Sequence, residues 1–427
     1  MSLIVKAGKM GKRVLKKFLP EEKHHVSYTR RIERVHTKER VVAMTFDDGP
    51  MDLPSSPDKF GGRALTDLLL DTLQEYHALG TFDVVGDTSE NYPDMAGKSG
   101  QADWGGVRYD HYPDINQDGR GGVVHNDRLV RRILHEGHQI TNHGYRHVLF
   151  GKKPFVYGKR DHFHGLDPVV ADLTRLHTLL QETYGYTMTM GRPPHYVDKI
   201  EGGFTSYDAY DQMGYLYLAA AFDGAGWLPI HHNTVQESLQ AEIAAMVEPM
   251  KRALEADPDA LAGQIIFQKD GYNMSRRTPV AFGLKQQLEL LQSYGYRVVT
   301  VEQLMADYSP FADVGREEPG FEKLVALQKT RGIVFSDNRL RLDDPMTWGE
   351  LAMLLAPRAE AIGRRVAKIR EIGTPQHANW GAMDWCAEQG ILKYAMDPDG
   401  TVSNLPSEFF GPAKDYTRRQ VYAAYRG

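Results

Sequence analysis

Apolar residues along the chain follow two rhythms. Seven short apolar runs, at 41–47, 81–86, 138–142, 187–191, 215–222, 264–269 and 296–301, have the length and character of buried strands. Between several of them the apolar spacing changes to three and four, from Ala64 to Leu79 and over 167–184, 234–254 and 281–294, which predicts one-sided helices. Strands alternating with helices predict an α/β fold built on a parallel sheet. A break comes at Tyr308-Ser309-Pro310, after which the spacing is helical only. The pattern divides the chain into a basic extension over 1–40, a main domain over 41–308 and a smaller all-α domain over 309–427.

Composition narrows the class. With 427 residues, 41% of them hydrophobic, the chain has enough apolar mass for a sizeable core. A net charge of −5 gives no global attraction to nucleic acid. The single cysteine, Cys386, excludes an internal disulfide framework. No run approaches the ~20 apolar residues of a membrane span, and Leu3-Ile4-Val5 is too short for the core of a secretion signal. Lys6 to Lys17 is basic and reads either as a surface helix with weak affinity for anionic membrane or wall polymer, or as a solvated extension.

The first strand ends in Thr45-Phe46-Asp47-Asp48-Gly49-Pro50, two adjacent carboxylates at the edge of an apolar run. Burying two like charges is costly without a compensating cation. A metal ion is such a cation, and it leaves one carboxylate for proton work. Further on, Ile140 to His147 places His143 and His147 four positions apart, so that on one helical turn both imidazoles face the same way. With a carboxylate they make a two-histidine, one-carboxylate set suited to zinc, with cobalt, nickel and iron also compatible.

Together these two elements resemble the NodB-type polysaccharide deacetylases, carbohydrate esterase family 4, over roughly residues 40–305. The resemblance implies a distorted (β/α) barrel with its site at the C-terminal strand ends. It implies Asp47 as catalytic base and Asp48, His143 and His147 as metal ligands. Gly144 stands where the family usually has Ser or Thr. Gly191-Arg192-Pro193-Pro194 resembles the motif whose arginine pairs with the catalytic aspartate, so Arg192 would keep Asp47 ionised and Pro194 would border the substrate. Phe222 to Trp227 keeps Asp223 and Trp227 of a further motif, as substrate-binding residues, but has Gly226 at its second acid. The strand 264–269 ends in Lys269-Asp270 where the family has a general-acid histidine followed by aspartate. An unperturbed lysine titrates near ~10.4 and is a poor acid at neutral pH. Lys269 reads either as an electrostatic stabiliser of an oxyanion or as a strand-end lysine reaching to solvent.

The activity implied by the resemblance is hydrolytic removal of N- or O-acetyl groups from a polysaccharide or cell-wall glycan. An ester depends less than an amide on the missing acid. The alternative is a catalytically impaired, metal-containing carbohydrate-binding protein. Residues 87–125 form an unusually long connection, rich in Gly and Asp, that carries Trp104, Tyr109, His111 and Tyr112. It reads either as a cover whose rings, Trp104 and Tyr112 above all, stack on sugars, or as a surface insertion. Within it Asp114 to Gly119 matches the start of a calcium loop, but His125 occupies the position of the closing acid. Beyond 309, the order Trp348-Gly349-Glu350, Gly390-Ile391 and Thr417-Arg418 resembles two degenerate S-layer homology repeats, which would bind cell wall or serve as scaffold. Envelope or secreted localisation is the corresponding expectation.

Overall fold

The alternation within the first strand determines the architecture. In a computed structural model, which describes residues 31–52, 63–87, 90, 121–152, 162–271, 273, 277–331, 333, 339–355 and 412–425, Val41–Asp47 forms strand β2 with all seven residues buried. Its alternate side chains Val42, Met44 and Phe46 face outward into a large core with Leu65, Leu69 and Leu73 of the Leu65–Glu75 helix and Val280 and Leu284 of the Pro279–Ser293 helix. Val41 and Ala43 face the other way, into a second core with Ile32, Met190, Leu218 and Ile265. These come from five different strands, so the second core fills the space the sheet encloses. A period of two explains both faces.

The remaining strands are β1 (Arg31–Ile32), β3 (Gly80–Val84), β4 (Gln139–Asn142), β5 (Met190–Gly191), β6 (Lys199–Ile200), β7 (Phe204–Thr205), β8 (Leu216–Leu218), β9 (Phe222–Asp223), β10 (Ile265–Lys269) and β11 (Arg297–Val299). The main sheet runs β1-β8-β5-β4-β3-β2-β10-β9, all parallel, with β11 also on β2. β8 and β9 are two pieces of the one predicted run 215–222, and they pair on opposite sides, β8 with β5 and β9 with β10. The sheet therefore curls through this interrupted strand into a distorted barrel, as the alternating pattern and the resemblance predict. Each of the seven predicted runs contains a strand, although 187–191 shortens to β5. The periodic stretches become the helices Leu65–Glu75, Leu166–Tyr184, Val235–Ala256 and Pro279–Ser293.

Two expectations change. The C-terminal part is not purely helical: Pro345–Thr347 (β12) pairs antiparallel with Pro412–Thr417 (β13). Also, the short strand Arg31–Ile32 joins the sheet beside β8, although the periodicity gave no strand before residue 41. The chain divides into two compact units, one of Thr29–Asp344 with Arg418–Gly427 and one that includes Pro345–Thr417. In the first unit the Arg418–Ala424 helix is anchored by hydrogen bonds from the Arg418 and Arg419 N–H groups to the carbonyls of Asp344 and Leu342, at 3.0 and 2.8 Å. Its Tyr422 is 1% exposed. Among the described residues no helix is long and apolar enough to cross a membrane.

Candidate metal and catalytic site

The inner face of β2 continues from Val41 and Ala43 to Thr45 and Asp47, so the enclosed core turns polar toward one end. Register extends this row across the sheet: Asp47 lies opposite Lys269 of β10 and Asp83 of β3, and Asp83 lies opposite Thr141 of β4. All four are buried. Hydrogen bonds that continue the ladder past the strand ends fix the next residues: Asp48 N–H to Asp83 O at 3.2 Å, His143 N–H to Val84 O at 2.9 Å and Arg192 N–H to Asn142 O at 3.1 Å. The candidate residues thus sit at the C-terminal ends of neighbouring strands.

Asp48, His143 and His147 converge there. Asp48 Oδ1 lies 3.3 Å from His143 Nε2 and 3.2 Å from His147 Nε2, and one ligand atom from each residue falls within 4.8 Å of the others. The expectation that a helical turn aligns the two histidines is corrected: residues 143–148 form a loop, with Gly144 at φ 86 and His147 at φ 54. A left-handed φ is open to glycine without penalty, which accounts for Gly144 in the place of a hydroxyl residue. Asp48 itself has φ 84, and strain at a non-glycine residue of this kind concentrates at functional sites. The loop is held by Asp172, which accepts from Tyr145 N–H at 2.7 Å and Arg146 Nε at 3.0 Å.

His143 Nδ1 donates to Arg192 O at 2.8 Å and lies 2.9 Å from Asp83 Oδ2. This orients Nε2 toward Asp48, the carboxylate–histidine arrangement that supports metal ligands. Burial opposes a charge on His143, yet Asp83 and Asp47 raise it to about 10, so a metal bound at Nε2 would have to displace a proton. The donor set, two imidazoles and a carboxylate in a pocket of excess negative charge, fits a divalent transition metal.

Arg192 is fully buried. Its Nε donates to Leu218 O at 3.1 Å, Nη1 to Thr45 Oγ1 at 3.0 Å and to Asp47 Oδ1, and Nη2 to Ala219 O at 3.3 Å. Burial pushes Asp47 up to about 7, although Arg192 and His143 pull it down. Pro194 is buried next to Gly144, with 3.7 Å between its Cγ and the position a Cβ on Gly144 would take.

The opposite wall of the mouth differs. Lys269 does not reach to solvent: it is 7% exposed and its Nζ contacts Asp48 Oδ2. Asp223 is exposed and accepts from Trp227 Nε1 at 3.1 Å, with the Trp227 ring exposed. Gly226 has no room for the absent acid, since a Cβ there would lie 2.4 Å from Val280 Cγ2. Asp270 is buried, accepts from Thr66 Oγ1 at 2.8 Å and sits against Gly49. Burial pushes its carboxyl up to about 7. Trp104, Tyr112 and the calcium-loop match at 114–119 lie outside the described residues. His125, at the end of that match, is 2.8 Å from Asp87 Oδ1.

The pattern reading missed Asp83, Asp172 and Thr45. The signal for Asp83 was present: a carboxylate in the apolar run 81–86, two positions from Thr81 and so on the same face.

The chain is 22% identical over 282 residues to the peptidoglycan-N-acetylmuramic acid deacetylase PdaC of Bacillus subtilis, covering 66% of this chain and 42% of that protein. It is therefore aligned with less than half of that relative's length. Among solved structures, it is similar to the chitin deacetylase of Colletotrichum lindemuthianum at 17% identity and a TM-score of 0.41, covering 68% of this chain and 96% of the other. It is also similar to a CE4 family pseudoenzyme from Bacillus anthracis at 13% identity and a TM-score of 0.40, covering 64% and 68%. The family model described as polysaccharide deacetylase matches residues 34–197.

Proposed function

We propose that the chain is a metal-dependent hydrolase that removes acetyl groups from a polysaccharide or cell-wall glycan. The observation that carries this reading is the convergence of Asp48, His143 and His147 beside an Asp47 that is gripped by a buried Arg192. A zinc ion, or cobalt, nickel or iron, held by the three ligands would supply an acidified water and polarise the acetyl carbonyl. Asp47, one residue from Asp48, would accept the proton of that water. Arg192 keeps that carboxylate oriented by a charged hydrogen bond. Lys269 adds positive charge where negative charge builds on the acetyl oxygen. Trp227, Asp223 and Pro194, with Trp104 and Tyr112 of the long connection, would contact the sugar. The C-terminal repeats would supply wall contact, and an envelope or secreted location is consistent with that substrate.

No histidine stands at the end of β10 to protonate the leaving group, so esters are favoured over amides. A second reading, a binding protein with impaired turnover, has its own support: the Lys269 ammonium occupies one oxygen of a metal ligand, and Gly226 is packed on Val280. Acetate release from acetylated chitin oligomers, peptidoglycan fragments and acetylxylan, with zinc or cobalt added, separates the two. Release lost in Asp47→Asn supports the hydrolase. Bound metal without release from any substrate supports the binding protein.

A further inference from the structure

Outside the barrel mouth a second group of metal-ligating side chains lies on two loops. His162 and His164 are two residues apart just before the Leu166–Tyr184 helix, and their rings lie side by side. Ring centroids are 4.7 Å apart. Both face one carboxylate: His162 Nε2 lies 3.0 Å from Glu201 Oε1, and His164 Nδ1 lies 3.0 Å from Glu201 Oε2. One ligand atom from each of the three falls within 4.8 Å of the others. Hydrogen bonding to His162 and then His164 holds Glu201 below the usual carboxylate range.

The backbone beneath this group is firmly positioned. His162 bridges Leu149 in parallel, and Phe163 N–H donates to Leu149 O at 3.0 Å. Glu201 begins the turn between β6 and β7, which pair through Lys199–Thr205 and Ile200–Phe204. Gly151 approaches that hairpin so closely that a Cβ on it would lie 1.9 Å from Lys199 O. The group therefore joins the segment after His147 to the hairpin after Arg192.

We infer that His162, His164 and Glu201 form a second divalent-metal site, of the zinc class, that ties these two segments together. Two imidazoles and a carboxylate are a zinc-type donor set, and three protein ligands leave the fourth position to water at this exposed location. These three residues carry the site by themselves, independently of the hydrolase reading.

The test is zinc stoichiometry of the metal-stripped full chain, by titration against a chromophoric chelator, for the parent and for His164→Ala, Glu201→Gln and the double variant. The expected result is the loss of one zinc equivalent in the double variant, with each single variant weakened. Melting in excess chelator verifies folding, and both residues are exposed enough for the substitutions to leave it unchanged. Repeating the pair in a His143→Ala/His147→Ala background separates the two sites: one equivalent remains there, and it disappears with His164→Ala/Glu201→Gln. Equal zinc counts in parent and double variant, in either background, would overturn the site and leave the cluster as a hydrogen-bonded group only.

Discussion

The two walls of the barrel mouth differ in how they treat charge. On the β2–β5 side, Asp48, His143 and Arg192 each come directly after a strand end, and Asp83, Thr45 and backbone carbonyls hold their polar atoms. On the β9–β10 side a lysine points at Asp48, a proposed metal ligand, and a glycine fills the space an acid would need. On the proposed reading, holding a metal and delivering a proton to a leaving group fall to different walls, and only the residues proposed for the first are present.

The largest expected effect breaks the first wall. Arg192→Ala leaves Asp47 buried without its cation, and removing one partner of a buried pair costs about 3–5 kcal/mol. Urea denaturation measures it, and a loss under about 1 kcal/mol would mean that Asp47 finds solvent. Next in size is a pH limit at the opposite, N-terminal end of strands β3 and β4. His138, whose Nδ1 accepts from Gly80 N–H at 2.9 Å, is lowered to about 4 by burial, only partly offset by Glu136. A depressed histidine contributes stability that is complete above its unfolded value near ~6.5 and is lost as pH falls toward about 4. The loss across that window is on the order of 3 kcal/mol, read as the difference in pH dependence between the parent and His138→Gln.

Asp83→Asn removes the carboxylate behind His143 and should weaken metal binding about 10- to 100-fold, measured by competition with a chelator. Gly226→Asp tests the second wall: its side chain meets Val280, and overpacking of this kind costs about 2 kcal/mol, visible as a lower melting temperature. If Gly226→Asp melts with the parent, the steric account of the missing acid fails. The smallest effect has the opposite sign. Lys269→His takes an ammonium off Asp48 and should tighten zinc about tenfold, ~1.4 kcal/mol. Unchanged zinc affinity would show that the two walls do not communicate through Asp48.

Local pattern made the strand–helix alternation legible, because a buried strand and a one-sided helix each leave a period in the sequence. The convergence of Asp47, Asp48, His143, His147 and Arg192 was legible only through the resemblance, since the residues are up to 145 positions apart. The features that escaped depend on register or on space. Asp83 acquires its position beside His143 from β3–β4 pairing, which no single segment encodes. The aim of Lys269 comes from the β2–β10 register that sets it opposite Asp47. The loop conformation at Gly144 and His147 is a matter of left-handed backbone, whereas spacing alone suggested a helical turn. The β12–β13 ladder joins segments far apart in sequence and carries no alternating signal long enough to read.

The anchoring of the Arg418–Ala424 helix to Leu342 and Asp344 has a consequence for biosynthesis. The barrel's unit contains Asp344 and Arg418, which are 74 positions apart in sequence. At a translation rate of about 5–20 residues per second, roughly 4–15 s pass between the synthesis of Asp344 and that of Arg418. During that interval Leu324 and Leu342, which line the same hollow as Tyr422, lack their cover. The barrel is thus complete in sequence well before it is complete in packing, and a nascent chain stalled in this interval would present an apolar surface to chaperones.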